Sequence, residues 1–294
     1  MSSSLKMMYS QYLPLLFKRY SDYRMKIILS RKGFDAEYGG QPSPILPDGT
    51  LLSLPIPAKH ENVKYTDLAY NNETYYKIIK ELKPKTKIQE KYNCHLDPDI
   101  YKEVLPRIIE WRGLFGQMGS SQGHLRNNNV GIGDIFLFFG WFKKTELKNN
   151  KLQYKKSFPD LHVIYGFLEV GKMYLNNQLP ERVKYHPHSD DYNDNNNCIY
   201  EAASYLSFNN NIKGFGTFKH NKNLILTKEG ESKSRWDLPE YFKDVEITYH
   251  TNNSWKDNYF QSASKGQEFI INANNKIINW TKRIISSGMN LKNE

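Results

Sequence analysis

The strongest apolar signals along the chain are short. Lys26-Ile-Ile-Leu-Ser30 is a brief apolar run with adjacent β-branched residues, which predicts a buried strand. A turn-rich stretch follows, with Gly33, Gly39, Gly40, Pro42, Pro44, Pro47 and Asp48-Gly49, and it ends in a second predicted strand at Leu51–Leu54. Between Asn72 and Leu82 the apolar positions Tyr75, Ile78, Ile79 and Leu82 recur at helical spacing. They predict an amphipathic helix with an Asn near its start. Asp97-Pro98-Asp99 reads as a further helix start, with the proline in the first turn. Ser120–Arg126 reads as a short helix capped by serine.

The middle of the chain alternates differently. Asp134–Phe142 is filled with Phe, Leu, Ile and Trp, so this strand is expected to be buried on both faces or to line an aromatic pocket. Asn149-Asn150 marks a hairpin turn, and Leu161–Val170 returns as a second strong strand. Tyr185–Asn197 is dense in Asp and Asn and reads as a surface loop. Cys198–Leu206, Phe215–Phe218, Leu224–Thr227 and Phe269–Ile271 read as further strands, and Lys276–Ile285 as a closing helix. No internal repeat interrupts this order. The expected architecture is one α+β domain over residues 25–286, with a central mixed or antiparallel, partly barrel-like sheet and flanking helices. Residues 1–24 read as an N-terminal extension, with Met1 and Met25 both open as the start, and residues 287–294 as a polar tail.

Composition narrows the partners. With 39% hydrophobic and 14% aromatic residues, the 294-residue chain can bury a sizeable core and is not a disordered tail. Its net charge of +10 favours an anionic partner, DNA or a nucleotide. The same excess also follows from a Lys-, Asn-, Ile- and Tyr-rich composition of the low-GC kind. Cys94 and Cys198 form no CxxC pair, which argues against a disulfide framework or a thiolate zinc site and toward a cytoplasmic protein. No stretch is apolar enough to span a membrane, so no membrane partner is expected.

Five segments carry candidate chemistry. Ser30-Arg31-Lys32 leads from a strand into a glycine-rich loop with Asp35, where Arg and Lys can pair with phosphate, although no GxxxxGK[ST] pattern is present. Gln117, Gln122 and His124 sit among glycines and serines. Glutamine can read a base edge, and histidine can move protons. Val130-Gly-Ile-Gly133-Asp134 enters the aromatic strand, and Asp134 there most simply bonds nearby backbone amides. His186-Pro-His188, followed by Asp190, Asp191 and Asp194, could hold a divalent metal if His124 or His162 supplied a third ligand. A solvated polar loop is the plainer reading. Arg235-Trp236 and Gln267-Glu268 close the set: the first pairs a cation with a ring, and the second precedes a short strand. No nucleophile elbow and no HxE…PCxxC deaminase motif is present.

Taken together, these motifs resemble the nucleotide-modification-associated domain, third type. The resemblance runs through Lys26–Asp35, Gly39-Gly40-x-Pro-Ser-Pro-Ile45, Leu46-Pro-Asp-Gly49, Leu96–Asp99, Phe115–Leu125, Gly133–Phe142, His186-Pro-His188, Ser234–Pro239 and Lys265–Phe269. It covers residues 25–286. It implies a nucleotide- or DNA-base-modification protein of a bacterial or phage DNA-modification or defence system, working with other proteins of that system. It implies no particular reaction. Val130–Asp134 and Gly166–Val170 also resemble the barrel of base-reading, PUA-like domains.

Two functions are therefore expected to compete. In an enzyme, Arg31 and Lys32 hold phosphate, Gln117 and Gln267 orient the base, and Asp35, His124 or Glu268 moves protons. Ser30, Asp134 and Arg235 add nucleotide contacts, and the cofactor is open, with a divalent metal at His186 and His188 as one option. In a reader of modified bases, an aromatic cage in the barrel binds without chemistry.

Overall fold

A computed structural model of the chain describes residues 25–175, 179–189, 196–264 and 266–289. The extension at 1–24, the polar tail, Lys265 and the aspartates 190, 191 and 194 lie outside the described residues. The strands are β1 (Lys26–Arg31), β2 (Ser43–Ile45), β3 (Ile56–Ala58), β4 (Ala69–Tyr70), β5 (Glu73–Thr74), β6 (Asn93–His95), β7 (Leu114–Met118) and β8 (Ile135–Lys148). They continue with β9 (Lys151–Tyr154), β10 (Leu161–Tyr174), β11 (Asn197–Ala202), β12 (Phe215–Thr217), β13 (Arg235–Trp236), β14 (Phe260–Gln261) and β15 (Glu268–Asn272). Three α-helices accompany them: α1 (Tyr75–Leu82), α2 (Gly119–Asn127) and α3 (Asn275–Gly288).

The fold is α+β and mostly sheet. One nine-stranded mixed sheet runs β15-β1-β8-β10-β11-β7, with β2 and β9 added on β8 and β12 on β10. β1 lies parallel to β8 and antiparallel to β15, so Ser30 faces Glu268 directly across the ladder. The expected PUA-like barrel is not closed: the path ends at β15 on one edge and β7 on the other, with no backbone ladder between them among the described residues. Side chains span that gap instead, because Gln117 of β7 donates to Glu268 of β15 at 2.7 Å.

Local chemistry explains most of the elements. α1 begins at Thr74, whose hydroxyl accepts the Lys77 amide, and buries the four apolar positions that the spacing singles out. Asn149 and Asn150 both take positive φ and close the β8–β9 hairpin in two residues. Gly166 sits where β10 is irregular. A β-carbon there would collide with Ile100 and the Gly216 carbonyl, so the close approach of β12 requires glycine.

Several expected elements take other forms. Leu51–Leu54 makes only an isolated bridge, from Leu51 to Ile45, and Leu224–Thr227 supplies isolated bridges after a 3₁₀ turn. Asp97-Pro98 is a cis bond in a bend and starts no helix. The next helical turn is 3₁₀, at Lys102–Val104. α2 begins after Met118, without a side-chain cap.

The aromatic strand is core. Phe136, Phe138, Phe139 and Phe142 are fully buried and pack on Phe115, Tyr165, Tyr200 and Trp236. A second apolar cluster gathers Phe34, Leu54, Tyr65, α1 and Leu96. Leu96 belongs to this second cluster and Ile100 to the first, so Asp97-Pro98-Asp99 crosses between the two. Asp99 anchors that crossing. Both its oxygens take the Arg107 guanidinium, at 2.5 and 2.7 Å, and it accepts Tyr185 Oη at 2.7 Å.

His162 is buried under Trp236, whose indole donates to its Nδ1 at 3.0 Å. Burial first, then the charges of Arg31 and Lys233, pushes this imidazole down to about 3, so it stays neutral in the fold. The unfolded chain protonates it near the ordinary value of 6.5, so the stability this group provides is intact above 6.5 and drains away as the pH falls toward 3. We expect the loss to reach about 3 kcal/mol by pH 4. His162→Gln keeps an acceptor for Trp236 and should flatten the decline in urea-unfolding free energy between pH 7 and 4. An unaltered slope would refute the assignment.

Candidate functional site

Alternation along β1 sorts its polar end. Ser30 and Lys32 point to one face of the sheet and Arg31 to the other. Arg31 lies against the rings of Phe139 and Phe269, and its guanidinium donates to the Ala263 and Ser264 carbonyls at 2.5 and 2.9 Å. Burial lowers its pKa against the pull of Asp35. In this structure, then, Arg31 holds the 263–264 loop, while Lys32 enters the interior.

Lys32 is the centre of a buried polar node. Its ammonium lies 3.3 Å from Glu268 Oε1, 3.6 Å from Asp97 Oδ2 and 4.5 Å from the centre of the Phe115 ring. Gln117 Nε2 donates to Glu268 Oε1 at 2.7 Å and reaches Gln267 Oε1 at 3.3 Å. Glu268 Oε2 and the cross-strand neighbour Ser30 Oγ are buried with no hydrogen-bond partner. Four segments distant in sequence thus meet within side-chain reach of one ammonium.

Asp97 joins this node to a second one. Its Oδ1 accepts the Gly116 amide at 2.7 Å and lies 3.4 Å from His186 Nε2, a buried nitrogen with no hydrogen-bond partner. Burial pushes the Asp97 carboxyl up, but Lys32, His186 and His188 outweigh it and hold it below the usual carboxylate range. His188 is also buried, and burial drives it down to about 3 despite Asp97. Its Nδ1 meets Asn197 Oδ1 at 3.0 Å, while Asn197 Nδ2 donates back to the His188 carbonyl. A β-carbon at Gly116 would collide with the His188 ring, so the glycine both seats this imidazole and supplies an amide to Asp97.

The histidine segment therefore differs from the expected solvated loop. Pro187–Ser189 forms a 3₁₀ turn, and His186 and His188 are 1% and 4% exposed. Neither His124 nor His162 comes to His188. One ligating atom each from His95, Asp97 and His188 lies within 4.8 Å of the others.

His124 stands at the rim of the first node. Its Nε2 meets Thr248 Oγ1 at 3.0 Å, and its ring lies 4.6 Å from the half-exposed ring of Tyr249. Burial lowers its pKa and the nearby Glu268 charge raises it, with a net fall. Tyr249 has φ +66°, in the left-handed region that bulky residues rarely adopt.

Other candidates sit apart. Asp35 is exposed and accepts the amides of Glu37 and Tyr38, closing its own turn. Asp134 accepts the amides of Lys26 and Gly131 at the far end of β1, roughly 20 Å along the strand from Lys32. Arg235 pairs with Glu231 at 2.7 Å and covers Tyr259 beside the antiparallel β13–β14 pair. Gln122 accepts the buried Tyr200 hydroxyl at 3.0 Å.

Sequence reasoning had not placed Asp97, His95, Asn197 or Tyr249 in a site. The available signal was the alternation Asn93-Cys94-His95-Leu96-Asp97, where His95 and Asp97 share a face of an extended run. Tyr249 left no signal, because its geometry depends on a loop conformation.

A family model described as nucleotide modification associated domain 3 matches residues 26–272. No curated protein and no solved structure matches the chain.

The Lys32 node predicts an asymmetry. Lys32→Met leaves two carboxylates facing each other without a counter-ion and should cost about 3–5 kcal/mol in urea unfolding. Glu268→Gln keeps the shape and should cost about 1–2 kcal/mol. The double variant should recover part of the Lys32→Met loss. A Lys32→Met protein as stable as the wild type would contradict this account of the node.

Proposed function

The chain belongs to the nucleotide modification associated domain 3 family, and on that footing we propose that it is an enzyme that alters the base of a nucleotide or of DNA. The observation that carries this reading is Glu268. It is 1% exposed, with one oxygen saturated by Gln117 and Lys32 and the other without a partner. Buried polar atoms are rarely left unsatisfied, and a carboxylate oxygen left open is a natural receiver for a substrate proton.

The neighbouring residues divide the work. Glu268 takes the proton. Lys32 stabilises the negative charge that develops beside it. The exposed Gln267 offers its amide nitrogen to a base edge, while Gln117, which donates to Glu268 and Gln267, holds the carboxylate in place. His124 exchanges protons at the rim, where its net lowered pKa keeps a neutral imidazole available. Tyr249 offers a half-exposed ring on which a base can stack. The net charge of +10 favours an anionic substrate for the chain as a whole. The setting we propose is a bacterial or phage DNA-modification or defence system.

A reader function has less support. The aromatic strand that was to form its cage is packed solid, and the barrel that was to hold the cage is open.

Mass spectrometry of nucleosides tests the proposal, comparing cells that express the wild type, Glu268→Gln, His124→Ala or nothing. The wild type should yield a new or altered nucleoside. Glu268→Gln should lower its level by about 10²–10⁴-fold and His124→Ala by a smaller factor. Unchanged nucleosides together with retained affinity for modified DNA would make the protein a reader.

A further inference from the structure

We propose that His95, Asp97 and His188 form a binding site for one divalent first-row transition-metal ion. Their three ligating atoms lie within 4.8 Å of one another, close enough for a single ion to touch all three. Two imidazoles and one carboxylate suit zinc, iron(II), cobalt(II) or manganese(II) better than calcium or magnesium, which prefer oxygen ligands.

The surroundings orient each ligand. His95 Nδ1 lies 2.8 Å from Glu61 Oε1, and His188 Nδ1 lies 3.0 Å from Asn197 Oδ1. Each ring therefore donates Nδ1–H to an oxygen and presents the Nε2 lone pair, the arrangement that outer partners impose on metal-bound histidines. Asn197 is itself fixed, because its amide nitrogen donates to the His188 carbonyl at 2.7 Å. Asp97 is held by the Gly116 amide through Oδ1, with His186 Nε2 at 3.4 Å from the same oxygen. His186, one of the two histidines that the sequence offered as ligands, thus stands behind a ligand.

Charge and access agree with a cation. Two carboxylates, Asp97 and Glu268, flank the Lys32 ammonium, and a third, Glu61, pairs with His95, so these four charged groups carry a formal excess of two negative charges. The His95 and Glu61 side chains are 24% and 19% exposed, so an ion can enter from their side while Asp97 and His188 close the interior. Three protein ligands leave coordination positions for water or a substrate oxygen. Asp97 would then link the ion to Lys32 and Glu268.

The test reads binding and not turnover, so its failure is separate from failure of the enzyme reading. Chelator-stripped, full-length protein is titrated with Zn²⁺ by calorimetry and with Co²⁺ by visible absorption. We expect one ion per chain with a Kd at or below about 1 μM and Co²⁺ ligand-field bands of a nitrogen-oxygen site. His95→Ala, at a half-buried position, should weaken Zn²⁺ by about 100-fold or more, and Glu61→Gln by about 10–100-fold with an unchanged melting temperature. Gly116→Ala, which displaces the His188 ring, should abolish the Co²⁺ bands, whereas His162→Gln should leave them intact. Binding of well under one equivalent to the wild type overturns the site. So does wild-type affinity in both His95→Ala and Glu61→Gln.

Discussion

The Lys32 ammonium faces two carboxylates inside the protein, and the arrangement of the sheet depends on that triangle. Glu268 comes from one edge strand, and Gln117, which also holds it, comes from the other. Asp97 arrives from the bend between the two apolar clusters. A buried ion pair is poor evidence of stability, because desolvation offsets much of the attraction. What such a node supplies is specificity of arrangement. With Lys32 in place, the edges β7 and β15 have one relative position that satisfies the charges, although no backbone ladder joins them. The open sheet thus gains part of the definition that a closed barrel obtains from hydrogen bonds between strands.

The elements that depend on neighbouring residues were legible in the sequence. β1, α1, the β8–β9 hairpin and the closing helix all follow from periodicity and turn chemistry, and they appear within a few residues of their expected bounds. The elements that failed depend on tertiary partners. Leu51–Leu54 is apolar enough for a strand, but its leucines divide between the clusters, Leu51 in the first and Leu52 and Leu54 in the second, and its backbone pairs only at isolated points. Asp97-Pro98 has the local chemistry of a helix start, yet Lys32, Gly116 and His186 each claim the aspartate. The relation between the two sheet edges was not legible either, because the side-chain contact between them joins residues 117 and 268.

For the site, residue type was legible and orientation was only partly so. Ser30, Arg31 and Lys32 form one basic motif in sequence, but strand alternation divides it, and the two cations serve different structures. The polar stretch around His186 misled because composition cannot distinguish a solvated loop from one folded inward. The inward turn is fixed by Asn197 on His188 within the stretch and, from distant parts of the chain, by Asp99 on Tyr185 and the absence of a β-carbon at Gly116.

The two polar nodes share Asp97, and that sharing constrains how either can act. An aspartate held below the ordinary range stays charged through the neutral pH window, so it is a fixed anion and not a proton carrier. In the proposed reaction the proton-accepting role therefore falls to a carboxylate with an open oxygen, and Glu268 has one. Gly116 and Gln117 are adjacent on β7, the first serving Asp97 and the second Glu268. Adjacent strand residues point to opposite faces, but a glycine contributes through its amide and is free of that rule. A single stretch of β7 can for this reason serve both nodes, and a movement of this strand would disturb both together.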